Sequence, residues 1–437
     1  MSERLYYADS FLRTFSAKVA DVREASRAEG VSIWQIALDR SAFYPSSGGQ
    51  PYDTGVLTAN SRSGAVLEAL VEAVEEDEHG TVWHYTRKPL AAGTEVQGMI
   101  DWQRRLDHIQ QHSGQHLLSA VFARELNAST VSFHLGDTIS HIDLAIGSIA
   151  HHSLERVETL ANELIAEDRA VTVRTVDRAE AEALLATGHL RKLPERAGTI
   201  RLVEIADYDL NACGGTHVRS TGQIGGLLLR GMEKTSRGFR VSFACGLRAV
   251  AAAREDLTTL SRASTFLSIG NVDVPAAIER MKAEAKAAEK ERQKLRDELA
   301  GYHAARLAVE VQPRDGLRFV RRTFTDRDSE YVRLLASKLA SSAPRTIALL
   351  ASAENWPARV VLARSRDLDF HCGNLLRDTL AARGLRGGGS ADLAQTDLAK
   401  DQLEAVSAEL EQSIRERISA GASEAQPSSG LSQSLPR

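Results

Sequence analysis

Residues 104–126 read RRLDHIQQHSGQHLLSAVFAREL. Leu106, Ile109, Leu117, Val121 and Phe122 recur at near-helical spacing, so the segment is expected to be a helix. His112 and His116 stand four residues apart on it, which puts both imidazoles on one face about a turn apart. Toward the N-terminus the pattern changes. VSIWQIALD (31–39) and TVWHYT (81–86) are short β-branched and aromatic runs punctuated by Gly, Pro, Ser and Asp, which reads as a β-rich domain. Toward the C-terminus strands and helices alternate to about residue 250, with a strand expected at TIRLVEI (199–205) before ADYDLNACGGTH (206–217).

Further on, Ile278, Met281, Ala285, Ala288, Leu295, Leu299 and Tyr302 recur at three- and four-residue steps, with Arg292 breaking the apolar series. That is the spacing of a coiled-coil seam, and its thin alanines suit either a hairpin folding back on the chain or a homodimer. Beyond Pro313, LRFVRRTF, RTIALLAS and ARVVLARS read as strands, while SEYVRLLASKLAS and NLLRDTLAARG read as helices. The expected architecture is α+β. It comprises a β-rich domain of barrel type over 1–103, a two-layer α/β domain over 104–252, a coiled-coil-like helical linker over 253–311, and a small α/β domain over 312–420. The tail 421–437, GASEAQPSSGLSQSLPR, has little to bury and is expected to be disordered.

Composition narrows the function classes. The 437 residues carry 54 basic and 58 acidic side chains, a net charge of −4, which argues against wholesale non-specific binding to nucleic acid. Arginines do cluster locally, at Arg230, Arg237 and Arg240 and again at Arg377, Arg383 and Arg386. Three cysteines, Cys213, Cys245 and Cys372, cannot build a disulfide framework and suit a reducing compartment. The opening MSERLYYADSFLRTF is charged where a secretion signal needs an apolar run, and no stretch is long enough to span a bilayer. A cytoplasmic protein with no membrane partner is expected.

The chemistry-bearing residues form two pairs. His112 and His116 are one; Cys213 and His217 are the other, bracketing Gly214, Gly215 and Thr216, where glycines let the backbone turn tightly. Three imidazoles and a thiolate are a borderline-soft donor set suited to one zinc ion. HSGQH carries no glutamate between its two histidines, where a zinc-protease helix needs one, so peptide hydrolysis is disfavoured. Hydrolysis of an activated ester is easier chemistry for a Lewis acid, provided one coordination position opens; four ligands held tightly make a structural site. SAFYPSSGGQPYDTG (41–55) is a tight turn, and LRGGGSADLAQ (385–395) is a glycine run that lacks the Lys-Ser/Thr ending of a P-loop. Its backbone N–H groups, with Arg386 beside them, suit a phosphate or an RNA backbone.

Together DRSAFYPSSGGQPYDTG, QQHSGQHLLSA and NACGGTHVRSTGQIG resemble the editing domain of alanyl-tRNA synthetase and the free-standing alanyl-tRNA editing proteins called AlaX. GLRGGGSADLAQ resembles the glycine-rich signature of the DHHA1 domain found in that synthetase and in long AlaX forms. The resemblance follows the family's motif order along nearly the whole chain, and it leaves no segment for an ATP-dependent aminoacylation site. It implies that His112, His116, Cys213 and His217 ligate zinc, and that Gln50, with Gly48 and Gly49, faces the substrate pocket. Ser41 falls where the family usually has a threonine whose hydroxyl helps recognise serine. A hydroxyl left unpaired by an alanyl group costs about 1–3 kcal/mol, which would spare correctly charged tRNA. Arg386, Gly387, Gly388 and Gly389 would grip tRNA.

The implied function is removal of serine or glycine from mischarged alanine tRNA by a zinc-dependent deacylase. The alternative is a non-catalytic, zinc-stabilised tRNA-binding protein. A phosphodiesterase reading fails because the chain has no Asp-His-His triplet.

Overall fold

A computed structural model describes residues 2–28, 31–60, 65–194 and 198–424. The chain divides into two compact units, Met1–Asn271 and Val272–Arg437.

After a helical turn at Leu5–Ala8, and beside a two-stranded pairing of Glu3–Arg4 with Arg40–Ser41, the first unit has a main sheet of seven strands: β1 (Thr14–Ala28), β2 (Val31–Leu38), β3 (Gly55–Asn60), β4 (Val66–Val71), β5 (Ala73–Glu76), β6 (Val82–Thr86) and β7 (Glu95–Ile100). They form one sheet in the order β4-β3-β7-β1-β2-β6-β5. β1 is long enough to serve both halves. Its start pairs with β7, and its remainder pairs with β2 through register shifts at Val19/Asp21 and Glu24/Ser26. Among the described residues the sheet stays open, so the expected barrel does not close. Its edges, β4 and β5, are separated only by Glu72 and cannot turn back to pair with each other. Phe15, Val19, Ile36, Leu38, Phe43, Leu57 and Val96 are buried together in its core.

Helix α1 (Trp102–Leu126) follows, capped by the Asp101 carboxylate accepting from Arg104 N–H and ended by Asn127 at φ 50°. It is buried nearly all round, polar side included. Gln110 donates to Gln223 O (3.0 Å) and Gln111 to Cys245 O (3.0 Å), so these amides are satisfied inside the protein. One neighbouring sheet orders β8 (Ser129–Leu135), β9 (Ser140–Ala145), β14 (Gly238–Cys245) and β13 (Leu227–Thr235). The other is β10 (Val171–Val176), β11 (Ile200–Ile205) and β12 (Asp209–Ala212). Helices α2 (His151–Ala166), α3 (Arg178–Ala186) and α4 (Gly246–Leu267) complete the unit. Ile109, Leu117, Val121 and Phe122 of α1, together with Ile142, Val241 and Phe243, form its core.

In the second unit α5 (Val274–Glu310) starts with a proline in its first turn. It buries Ala300, Ala304 and Leu307, whereas the larger seam residues Ile278, Met281, Leu295, Leu299 and Tyr302 stand exposed. A five-stranded sheet orders β15 (Arg318–Phe324), β16 (Thr346–Ser352), β17 (Ala358–Arg364), β19 (Leu393–Leu398) and β18 (Gly387–Gly389). α6 (Ser329–Ser342), α7 (Cys372–Ala381) and α8 (Leu403–Glu424) pack around it. The glycine run is thus an edge strand, Gly387 pairing with Thr396 and Gly389 with Ala394. α8 runs to Glu424, and residues 425–437 of the expected tail lie outside the described residues. Among the described residues no helix is long and apolar enough to cross a membrane.

Candidate metal centre

One helix and one turn build the centre. α1 presents His112 and His116 from successive turns, with ring centroids 5.1 Å apart. The turn after β12 presents Cys213 and His217. The four donor atoms lie within 4.8 Å of one another. Cys213 Sγ sits 3.4 Å from His112 Nε2 and 3.3 Å from His217 Nε2. An ion with N ligands at ~2.0–2.1 Å and S at ~2.3 Å in a tetrahedron requires N···S edges of about 3.5 Å, so this spacing fits.

The second nitrogens support the same assignment. Gln50 Oε1 accepts from Thr216 N–H (3.0 Å), and Gln50 Nε2 donates to Thr216 Oγ1 (2.8 Å). The carbonyl end of that amide therefore faces His112 Nδ1 at 2.8 Å, which places the imidazole proton on Nδ1 and leaves Nε2 as the donor. His217 Nδ1 lies 3.3 Å from Ser113 Oγ, likewise turning Nε2 toward the cluster. The backbone of the turn is held at His217 N–H by Ser10 Oγ (3.3 Å) and at Val218 N–H by Ser113 Oγ (3.1 Å). Gly215 must be glycine, because a Cβ there would strike the His112 ring.

Electrostatics keep the three imidazoles ready. Burial depresses the His112 and His217 imidazoles well below their ordinary range, and the Arg201 charge adds to this. Burial lowers His116 to about 4, helped by Arg191 and Arg201. All three are neutral near pH 7 and can donate a lone pair. Burial pushes the Cys213 thiol up, against the Gly215 N–H and Arg201. The cluster can hold a metal ion.

The other expected site residues divide. Gln50, 1% exposed, joins the cluster as an orienting group. Gly48 and Gly49 adopt φ of +56° and +81°, and a Cβ on Gly49 would come within 2.6 Å of the Phe133 ring, so that turn lies against β8. Ser41 is fully buried. His84 Nδ1–H donates to Ile36 O (2.8 Å), so its Nε2 accepts from the Ser41 hydroxyl at 2.7 Å. Ser41 Oγ in turn accepts from Phe43 N–H (3.1 Å). The second lone pair of Ser41 Oγ could accept from a substrate hydroxyl with both bonds kept. Arg386 is exposed beside β18 in the second unit.

Sequence reasoning missed Arg201, Thr216, Ser113 and the Asp53–Arg105 ion pair. Both residues of that pair are fully buried. Arg105, one residue into the expected helix, also donates to Ser10 O (2.9 Å) and Ala42 O (2.5 Å). Asp53 accepts from Tyr44 N–H (2.6 Å), so the pair ties the 42–53 loop to α1 two turns before His112. Its sequence signal is a charge on the apolar face of the helix.

Fold and donor set together define an α+β protein with a three-nitrogen, one-sulfur metal-type centre. A family model described as the threonyl and alanyl tRNA synthetase second additional domain matches residues 200–240, and one for class II (A) tRNA synthetases matches residues 1–104. The alanyl-tRNA editing protein AlaX-L of Pyrococcus horikoshii is 30% identical over 405 residues, covering 90% of this chain and 94% of that protein. AlaX-M of Methanosarcina mazei is 34% identical over 55% of this chain and 94% of its own length. The alanine–tRNA ligase of Pyrococcus abyssi is 32% identical over 90% of this chain but only 41% of its own length, so the chain spans about two fifths of that ligase. The chain belongs to the AlaX family of alanyl-tRNA editing proteins.

Proposed function

We propose that the protein deacylates mischarged alanine tRNA in trans, serving translation fidelity in the cytoplasm, with one zinc ion held by His112, His116, Cys213 and His217. The observation that carries this reading is the convergence of those four donors within 4.8 Å, two of them oriented through their second nitrogen. Zinc supplies Lewis acidity toward the ester linkage of an aminoacyl-tRNA. Gln50 holds His112 in place, and the Gly48–Gly49 turn lets backbone approach the aminoacyl end. Ser41 enters serine recognition by accepting from the substrate hydroxyl with its remaining lone pair, its bond to His84 kept. Removal of glycine rests on exclusion of the alanine methyl group. Arg386 with Gly387, Gly388 and Gly389 meets the tRNA backbone.

The two Cys213 edges, close to tetrahedral values, favour a second reading, a closed structural site in a tRNA-binding protein that hydrolyses nothing. One assay separates them. Purified protein is incubated with Ser-tRNA(Ala), Gly-tRNA(Ala) and Ala-tRNA(Ala), before and after chelation. Release of serine with alanine spared, lost with chelator or Cys213→Ala and restored by zinc, is expected. Intact Ser-tRNA(Ala) beside zinc-loaded protein would leave the binding role alone.

A further inference from the structure

The turn from Cys213 to His217 must deliver two ligands accurately, yet its middle is Gly214-Gly215, the most conformationally free dipeptide available. Its His217 end is held by Gln50, Ser10 and Ser113, as described above. The Cys213 end depends on a different residue. Arg201 sits opposite in the β11–β12 hairpin, and its backbone carbonyl accepts from Cys213 N–H at 3.0 Å. Its guanidinium Nη1 then reaches over the turn and donates to Cys213 O at 2.8 Å and Gly215 O at 2.9 Å. No other described side chain is bonded to those two carbonyls.

Arg201 is an unusual choice for a merely structural tie. It is half-buried and has no carboxylate partner among the described residues, and its Nε–H is buried without an acceptor. Buried cations are ordinarily paired, because desolvation costs several kcal/mol. Tyr7 props the group from the other side, its ring 5.5 Å from the guanidinium carbon and its hydroxyl 3.5 Å from where a Gly214 Cβ would stand. The site thus spends a poorly compensated cation on two carbonyls flanking the thiol.

We propose that Arg201 is a positioning residue of the centre: by pinning the carbonyls of Cys213 and Gly215 it fixes where the thiol meets His112 and His217. This rests on the metal reading given above. Arg201→Met keeps the apolar stem and removes the donors; Arg201→Lys keeps one cationic donor about one atom short. Zinc affinity is measured on the full chain by competition with a chromogenic chelator, alongside unfolding of the metal-free protein and the deacylation constants. Arg201→Met is expected to lose about 10–100-fold in zinc affinity, the size of other losses around metal ligands. Its kcat should fall with KM within about twofold, and Arg201→Lys should recover part of both. A structural tie alone would lower the stability of the metal-free chain and leave zinc affinity and kcat of the folded fraction unchanged; that result overturns the proposal. Wild-type protein that takes up no zinc overturns the metal reading and this inference with it. Wild type that binds zinc while Arg201→Met binds equally well overturns this inference alone.

Discussion

At the scale of single residues, Gln50 shows how an uncharged side chain can govern a metal site. Its one amide satisfies three groups: His112 Nδ1–H, Thr216 N–H and Thr216 Oγ1. Removing it leaves these groups buried without partners, at about 1–3 kcal/mol for each unsatisfied donor, and frees the His112 ring to rotate. Gln50→Ala should therefore weaken zinc binding by roughly 10–100-fold. Gln50→Glu retains an acceptor for both N–H donors, and the Thr216 hydroxyl can turn to donate to it. Its zinc affinity should stay within about tenfold of wild type. Chelator competition on the two variants checks the ordering; an alanine variant that binds as well as the glutamate variant would show that orientation by Gln50 does not matter.

At the scale of elements, α1 illustrates what is and is not legible in a sequence. His112 and His116 are readable as a pair because a helix turns spacing into a shared face, and Cys213 with His217 because two glycines sit between them. The duties of Arg201 and Gln50 depend on pairings across 12 to 166 residues, invisible before register and packing are known. The same limit hid why α1 carries Gly114. Glycine in a helix interior costs about 1 kcal/mol relative to alanine, so propensity alone favours replacement. The structure opposes it, because a Cβ on Gly114 would fall on the Sγ of Cys245, which is fully buried. Overpacking of this kind costs about 1–3 kcal/mol, enough to outweigh the propensity gain. Gly114→Ala should lower the melting temperature, and adding Cys245→Ala should recover part of the loss by opening the space. Additive losses in the double variant would rule out a steric origin. The open sheet was illegible for a related reason. The strand runs and turns of residues 1–103 read the same in a barrel as in an open sheet, and only the strand pairing shows that the edges β4 and β5 do not meet.

At the scale of the whole molecule, each unit has its own core, and every donor of the metal centre lies in the first. The second unit places its glycine run on an edge strand beside exposed Arg386, next to a hollow of about 400 Å³ lined by Arg333, Glu330 and Arg359, the last paired with Asp397. Such a surface can contribute affinity for a polyanion without taking part in bond cleavage. Binding made equally to ground state and transition state appears in KM and leaves kcat alone. Cutting the chain after about residue 312 removes this sheet and should raise KM for Ser-tRNA(Ala) while kcat falls little. Because phosphate contacts release counterions, the full chain should also lose affinity with added salt more steeply than the truncated one. Steady-state kinetics at two salt concentrations test both statements. An unchanged KM with parallel salt dependence would remove the second unit from tRNA binding, and a collapse of kcat would place part of the chemistry there.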